Sequence, residues 1–199
     1  MLKLTNTPEN APAVVVDTPV LLAAMGIFSS TSASPQRQLD SQRAVEHVFT
    51  CARPVMTNSI RAHLVFMGLH KDFASIARLN PAQFISTVCR KAQMVQVAGR
   101  FNRLQEPRDN RVVEAALAGN ARQIVTYNQR LLKHRQIEGV QVLLPEQYLQ
   151  AQRQAAAAAA RRAARLNAVD ELAAMGAVPL MRQPEAAAKR LRLQTAQPA

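Results

Sequence analysis

One stretch constrains the fold of this chain more than any other. Arg108-Asp109-Asn110-Arg111-Val112-Val113-Glu114-Ala115-Ala116-Leu117-Ala118 reads as a short helix, capped by Asp109 or Asn110 and closed by Gly119 as a left-handed C-cap. A few residues later a β-branched strand, Ile124 to Thr126, delivers polar Tyr127 and Asn128 at its end. A helix feeding a short buried strand is an α/β unit, and parallel sheets keep their sites at the carboxyl ends of the strands.

The rest of the chain supplies partners for that unit. Val14-Val15-Val16 is an unbroken β-branched run, expected of a strand covered on both faces, and it ends on Asp17. Asp17 suits the N-cap of a helix starting at Pro19 or Val20, since proline is tolerated at the first helical position. Residues 29–35 are rich in Ser and Thr and predict a loop. Residues 40–52 predict an amphipathic helix that turns Val45, Val48 and Phe49 inward. Val55-Met56 leads through Thr57, an N-cap, into a helix carrying His63. Asn80-Pro81 starts another helix, with Phe84, Ile85, Val88 and Met94 as its apolar face; Val95-Gln96-Val97 is then an expected strand, and residues 100–107 a basic loop. Residues 140–144 predict a last buried strand, and Pro145 a short helix through Leu149. Residues 150–174 are Ala-rich with high helix propensity, and residues 150–199 carry eight basic against three acidic side chains. This tail reads as an exposed extension or a polybasic arm.

Charge narrows the partners. Twenty-five Lys and Arg against 13 Asp and Glu leave a net charge of +12, which favours an anionic partner such as nucleic acid, although a genome that favours Arg and Ala would raise the same figure. Cys51 and Cys89 fit no disulfide framework and no metal spacing, so free thiols are expected. Residues 13–28 are apolar but interrupted by Asp17 and Pro19 and lack a basic flank, so a cytoplasmic protein without a signal peptide or membrane span is expected. No phosphate-binding glycine loop, nucleophile elbow or CxxC pair occurs, and no helix-turn-helix signature supports a DNA-binding regulator.

Residues 108–149 resemble the PIN-domain family, in particular its bacterial branch of toxin components from toxin–antitoxin pairs. Arg108-Asp109-Asn110, Glu114-Ala115-Ala116-Leu117, Ile124-Val125-Thr126, Leu131-Leu132, Gly139-Val140 and Pro145-Glu146-Gln147-Tyr148-Leu149 fall at the family's spacing. Val14-Val15-Val16-Asp17-Thr18-Pro19-Val20-Leu21-Leu22 is similar to its opening strand and helix. The resemblance implies a three-layer α/β/α fold around a mainly parallel sheet over residues 13–149. It also implies metal-dependent endoribonuclease chemistry on RNA, an antitoxin partner and a homodimer.

In such a nuclease clustered carboxylates hold Mg²⁺ or Mn²⁺, which activates water against the phosphodiester. By resemblance Asp17 and Asp109 match the first and third acids. His63 falls at the second acid, Asn128 where the family has Asp, and Pro19 where it has Asn. Glu46 and Asp72 are the other candidates for a displaced second acid, and Glu114 either supports the site or lies on a solvated face. The metal set implied is therefore Asp17, His63, Asp109 and Asn128, the amide through its carbonyl and the imidazole preferring softer ions. Two fewer negative charges predict a weakened nuclease, or a catalytically inactive module that binds RNA or a protein through its basic surface and tail.

Overall fold

A computed structural model describes residues 11–28 and 34–174, with the side chains of 172–174 left aside. In chain order the elements are β1 (Ala13–Val16), α1 (Thr18–Met25), α2 (Pro35–Cys51), β2 (Arg53–Met56), α3 (Asn58–Leu69), α4 (Lys71–Ala74), α5 (Pro81–Lys91), β3 (Gln93–Met94), α6 (Pro107–Ala118), β4 (Gln123–Val125), α7 (Gln129–Leu132), β5 (Gln136–Ile137), β6 (Val140–Leu143) and α8 (Pro145–Ala174). The strands form one sheet in the order β3-β2-β1-β4-β6-β5, parallel throughout except for the β5–β6 hairpin. The chain is thus an α/β protein with a mixed, mostly parallel sheet. No described helix is long and apolar enough to cross a membrane.

β1 sits in the middle because its valines leave no polar face to solvate. Val15 is fully buried, in register with Val55 of β2 on one side and Ile124 of β4 on the other. From β1 the chain builds outward through β2 and β3, then returns to add β4 on the opposite side. This reversal opens a crevice beyond the carboxyl ends of β1 and β4, the topological switch point where α/β sheets bind ligands. α6 packs across β1, β2, β4 and β6, and does so closely because Ala115, Ala116 and Gly119 present little bulk. α1 packs against α2 and α3, and α3 against α5. The buried ring of Tyr148 anchors the start of α8, its hydroxyl 2.9 Å from Nδ1 of His47 on α2.

Several expectations are met. Thr57 and Asn80 cap α3 and α5, accepting from the amides of Ile60 and Gln83, and Val45, Val48 and Phe49 are buried on α2. α2 starts earlier than expected because Ser34 caps it and Pro35 occupies its first turn; residues 29–33 of the expected loop lie outside the described residues. Other expectations need correction. Asp109 and Asn110 do not cap α6: Glu106 holds that position and Pro107 starts the helix, which puts Asp109 in its first turn. Gly119 is not left-handed, having φ −88°, and Asn120 takes the positive φ instead. Glycine is required there for another reason, since a Cβ would collide with both Cγ atoms of Val55. The third strand forms at Gln93–Met94 rather than at 95–97, so Met94 lies in an edge strand, 40% exposed, and not on the apolar face of α5. The helix opened by Pro145 does not stop at Leu149, because nothing in residues 149–150 breaks it. The compact units divide at Arg153 and Gln154, within α8; side chains 153–171 are exposed, and the basic segment 189–193 lies outside the described residues.

Candidate functional site

The switch-point crevice is a cleft of about 690 Å³, and Asp17, His63, Asp109 and Asn128 all line it. Residues far apart in the chain meet there because β1 and β4 end side by side, while one face of α3 and the N-terminal turns of α6 line the same opening. Neither alternative acid takes part. Asp72 pairs with His70 at 3.6 Å, and neither it nor Glu46 lines the cleft.

Asp17 follows β1 and caps α1. One carboxylate oxygen accepts from the Thr18 amide at 2.8 Å and the other from the Thr126 hydroxyl at 2.6 Å. Burial pushes its pKa from 3.8 up to about 6; the bonds from Thr126 and Thr18 oppose the shift, and the charge of Asp109 adds to it. Thr126, itself fully buried, accepts from the Asn128 amide at 2.9 Å, so the end of β4 is tied to the end of β1.

Asp109 is equally enclosed. Its Oδ1 accepts from Nδ2 of Asn128 at 2.7 Å and its Oδ2 from Nε of Arg130 at 2.9 Å. The carbonyl oxygen of Asn128 is directed elsewhere, capping α7 through the Arg130 amide at 3.0 Å. An aspartate at residue 128 would set two carboxylates against each other at this distance; the amide turns that repulsion into a hydrogen bond. Asp109 in turn keeps the Arg130 guanidinium still more firmly charged, by hydrogen bond and by charge.

His63, on α3, has its pKa lowered by burial and then by the charge of Arg108, both of which favour the neutral imidazole. Arg37 lies 3.8 Å over the Tyr127 ring, whose hydroxyl meets Ser41 at 2.8 Å; the Arg37 Nε is buried without a hydrogen-bond partner. Arg111 reaches Ser59 at 3.2 Å. Four arginines, Arg37, Arg108, Arg111 and Arg130, thus line the cleft with two aspartates, a net charge of +2. Glu114, left open between a supporting and a solvated role, is buried outside the cleft and accepts from the Phe101 amide at 2.8 Å. Asn110 holds the same loop by bonding both the amide and the carbonyl of Leu104.

The sequence reading missed Arg130, Arg37 and Phe66, all of them cleft residues. A signal existed for Arg130, which stands only two positions after Asn128, the place of the missing acid. Every carboxylate oxygen of Asp17 and Asp109 already accepts a hydrogen bond, and a permanent cation stands beside Asp109. Among the described residues no three His, Cys, Asp or Glu side chains converge as a metal site. So arranged, these residues do not fit a hard divalent ion, which requires converging anionic oxygens. Fold and site together define an α/β protein with an arginine-lined cleft at its switch point. No model of a known protein family matches the chain, and no curated protein matches it in sequence.

Proposed function

We propose that the chain is a PIN-like protein, a three-layer α/β/α fold of ribonuclease ancestry, that holds RNA in its arginine-lined cleft without cutting it. The observation that carries this reading is the Arg130–Asp109–Asn128 cluster. Where the resemblance implies acids around a metal, the chain supplies its own cation and an amide, and the acid that remains is neutralised. The surrounding guanidiniums suit phosphate oxygens, which they engage through planar forks of donors. Binding should therefore be steeply salt-dependent, since each phosphate contact on a single strand adds roughly 0.7 to the slope of log K against log salt. Anisotropy titrations of a labelled RNA, with Mn²⁺ or with a chelator, test this. Expected are the same affinity in both, loss of binding at high salt and intact RNA on a gel.

A second reading, a metal-dependent endoribonuclease, has one observation in its favour. Asp17 and Asp109 share the cleft closely enough for the charge of one to raise the pKa of the other, and the Arg130 side chain, 58% exposed, has room to leave. Mn²⁺-dependent cleavage that disappears in Asp17→Asn/Asp109→Asn would replace the first reading with this one.

A further inference from the structure

Phe66 is the most exposed of the large apolar side chains in the described part of the chain, at 69%. It belongs to α3, and with Ser59, Ala62 and His63 it forms the face of that helix that lines the cleft. Val65, Leu69 and Ile76, the exposed apolar residues nearest to it in the chain, do not line the cleft. The cleft therefore combines one solvent-facing aromatic ring with four guanidiniums. Grooves that hold unpaired nucleic acid are built this way, with cations on the backbone and an aromatic face on which a base stacks.

Resting on the RNA-binding reading above, we infer that Phe66 is a stacking platform for an unpaired base, so that the ligand of this cleft is single-stranded RNA. A base in an A-form duplex is already covered by its neighbours on both faces and cannot use the ring. The His70 ring lies 6.2 Å from that of Phe66 and is tilted by 54° to it, so the two are neighbours.

The chain contains no tryptophan, so Phe66→Trp introduces a single indole at the platform, excited apart from the two tyrosines at the red edge of absorption. The probes are a mixed-sequence decaribonucleotide, the same sequence closed into a hairpin duplex, and an abasic ribose-phosphate decamer. The decaribonucleotide should quench the Phe66→Trp emission, while the hairpin stem and the abasic decamer leave it unchanged. Phe66→Ala should weaken decaribonucleotide binding by roughly 5- to 100-fold. Its affinity for the abasic decamer and its salt slope should stay at wild-type values. Because the ring is exposed, both variants should melt as wild type does, which is checked on the same samples. Equal quenching by the abasic decamer, or wild-type affinity of Phe66→Ala for the decaribonucleotide, would overturn the stacking role and leave RNA binding by the cleft standing. A Phe66→Ala variant that turns a dimer into a monomer with RNA affinity unchanged would overturn it too, and assign the ring to an interface. No binding of any RNA by the wild-type chain would overturn the stacking role together with the reading on which it rests.

Discussion

Asp17 is held in the fold against its own preference for water. It is 7% exposed, and its pKa of about 6 exceeds the 3.8 of an unfolded chain. Below the lower value the group is protonated in both states and costs nothing. Between about 3.8 and about 6 the unfolded chain ionises this carboxyl while the folded protein keeps it protonated, so by about pH 6 stability of about 3 kcal/mol has been lost relative to acid conditions. Asp17→Asn removes that cost but disturbs the bond from Thr126, worth about 1 kcal/mol. The variant should therefore unfold at higher urea than wild type at about pH 7.5 and lose the advantage near about pH 4, which parallel urea titrations measure. Asn128 gives the complementary test. In Asn128→Asp/Arg130→Ala two carboxylates face each other without a cation, so a melting temperature below wild type, raised again by millimolar Mn²⁺, is expected. Wild type should melt alike with and without Mn²⁺, and the thermal shift with each ion reads both. The resemblance to the PIN family made Asp17, Asp109, His63 and Asn128 visible, and Asp17 and Asn128 stood out locally as well because each follows a β-branched run. Arg130 was not visible as a site residue, because its partner Asp109 lies 21 residues away in the chain and only the fold brings the two together.

At the scale of elements, what was legible was local. Unbroken valines gave β1, and Thr57 and Asn80 gave two helix starts, because side chain and backbone settle these features within three residues. β3 was misplaced because a two-residue edge strand, exposed on both residues, carries no periodicity to read. The β5–β6 hairpin escaped notice for a similar reason. Glu138 and Gly139, both at positive φ, turn the chain between strands too short to alternate. Gly119 looked like a helix stop and proves to be a spacer, its missing side chain accommodating Val55 of β2. That distinction is measurable. A left-handed glycine and a glycine in close contact both resist replacement, but only the second is rescued by trimming the neighbour. Gly119→Ala should lower stability by about 1–3 kcal/mol through overpacking, and Val55→Ala in the same chain should offset part of that loss. A double-mutant cycle in urea gives the coupling, and strict additivity would show that Val55 is not what the glycine accommodates.

For the whole molecule, charge alone does not say where an anion binds. A chain of net charge +12 attracts RNA to many surfaces, and α8 carries as many exposed arginines as line the cleft. The difference is organisation. Arg111 is braced by Ser59, Arg37 lies against Tyr127 and Arg130 is fixed by Asp109, whereas Arg161 and Arg162 stand among exposed neighbours on α8. Braced guanidiniums lose less conformational freedom on meeting a phosphate, so equal charges contribute unequally to affinity. Charge reversal separates the two contributions. Arg108→Glu/Arg111→Glu and Arg161→Glu/Arg162→Glu each remove four units from the same net charge, and general attraction should fall by the same amount in both. If RNA occupies the cleft, the first pair abolishes measurable binding of a single-stranded decamer, while the second lowers it by only a few-fold, an effect that shrinks toward none at about 0.3 M salt. Equal losses in the two variants would instead make the surface as a whole the binding agent, and the cleft only its most visible part.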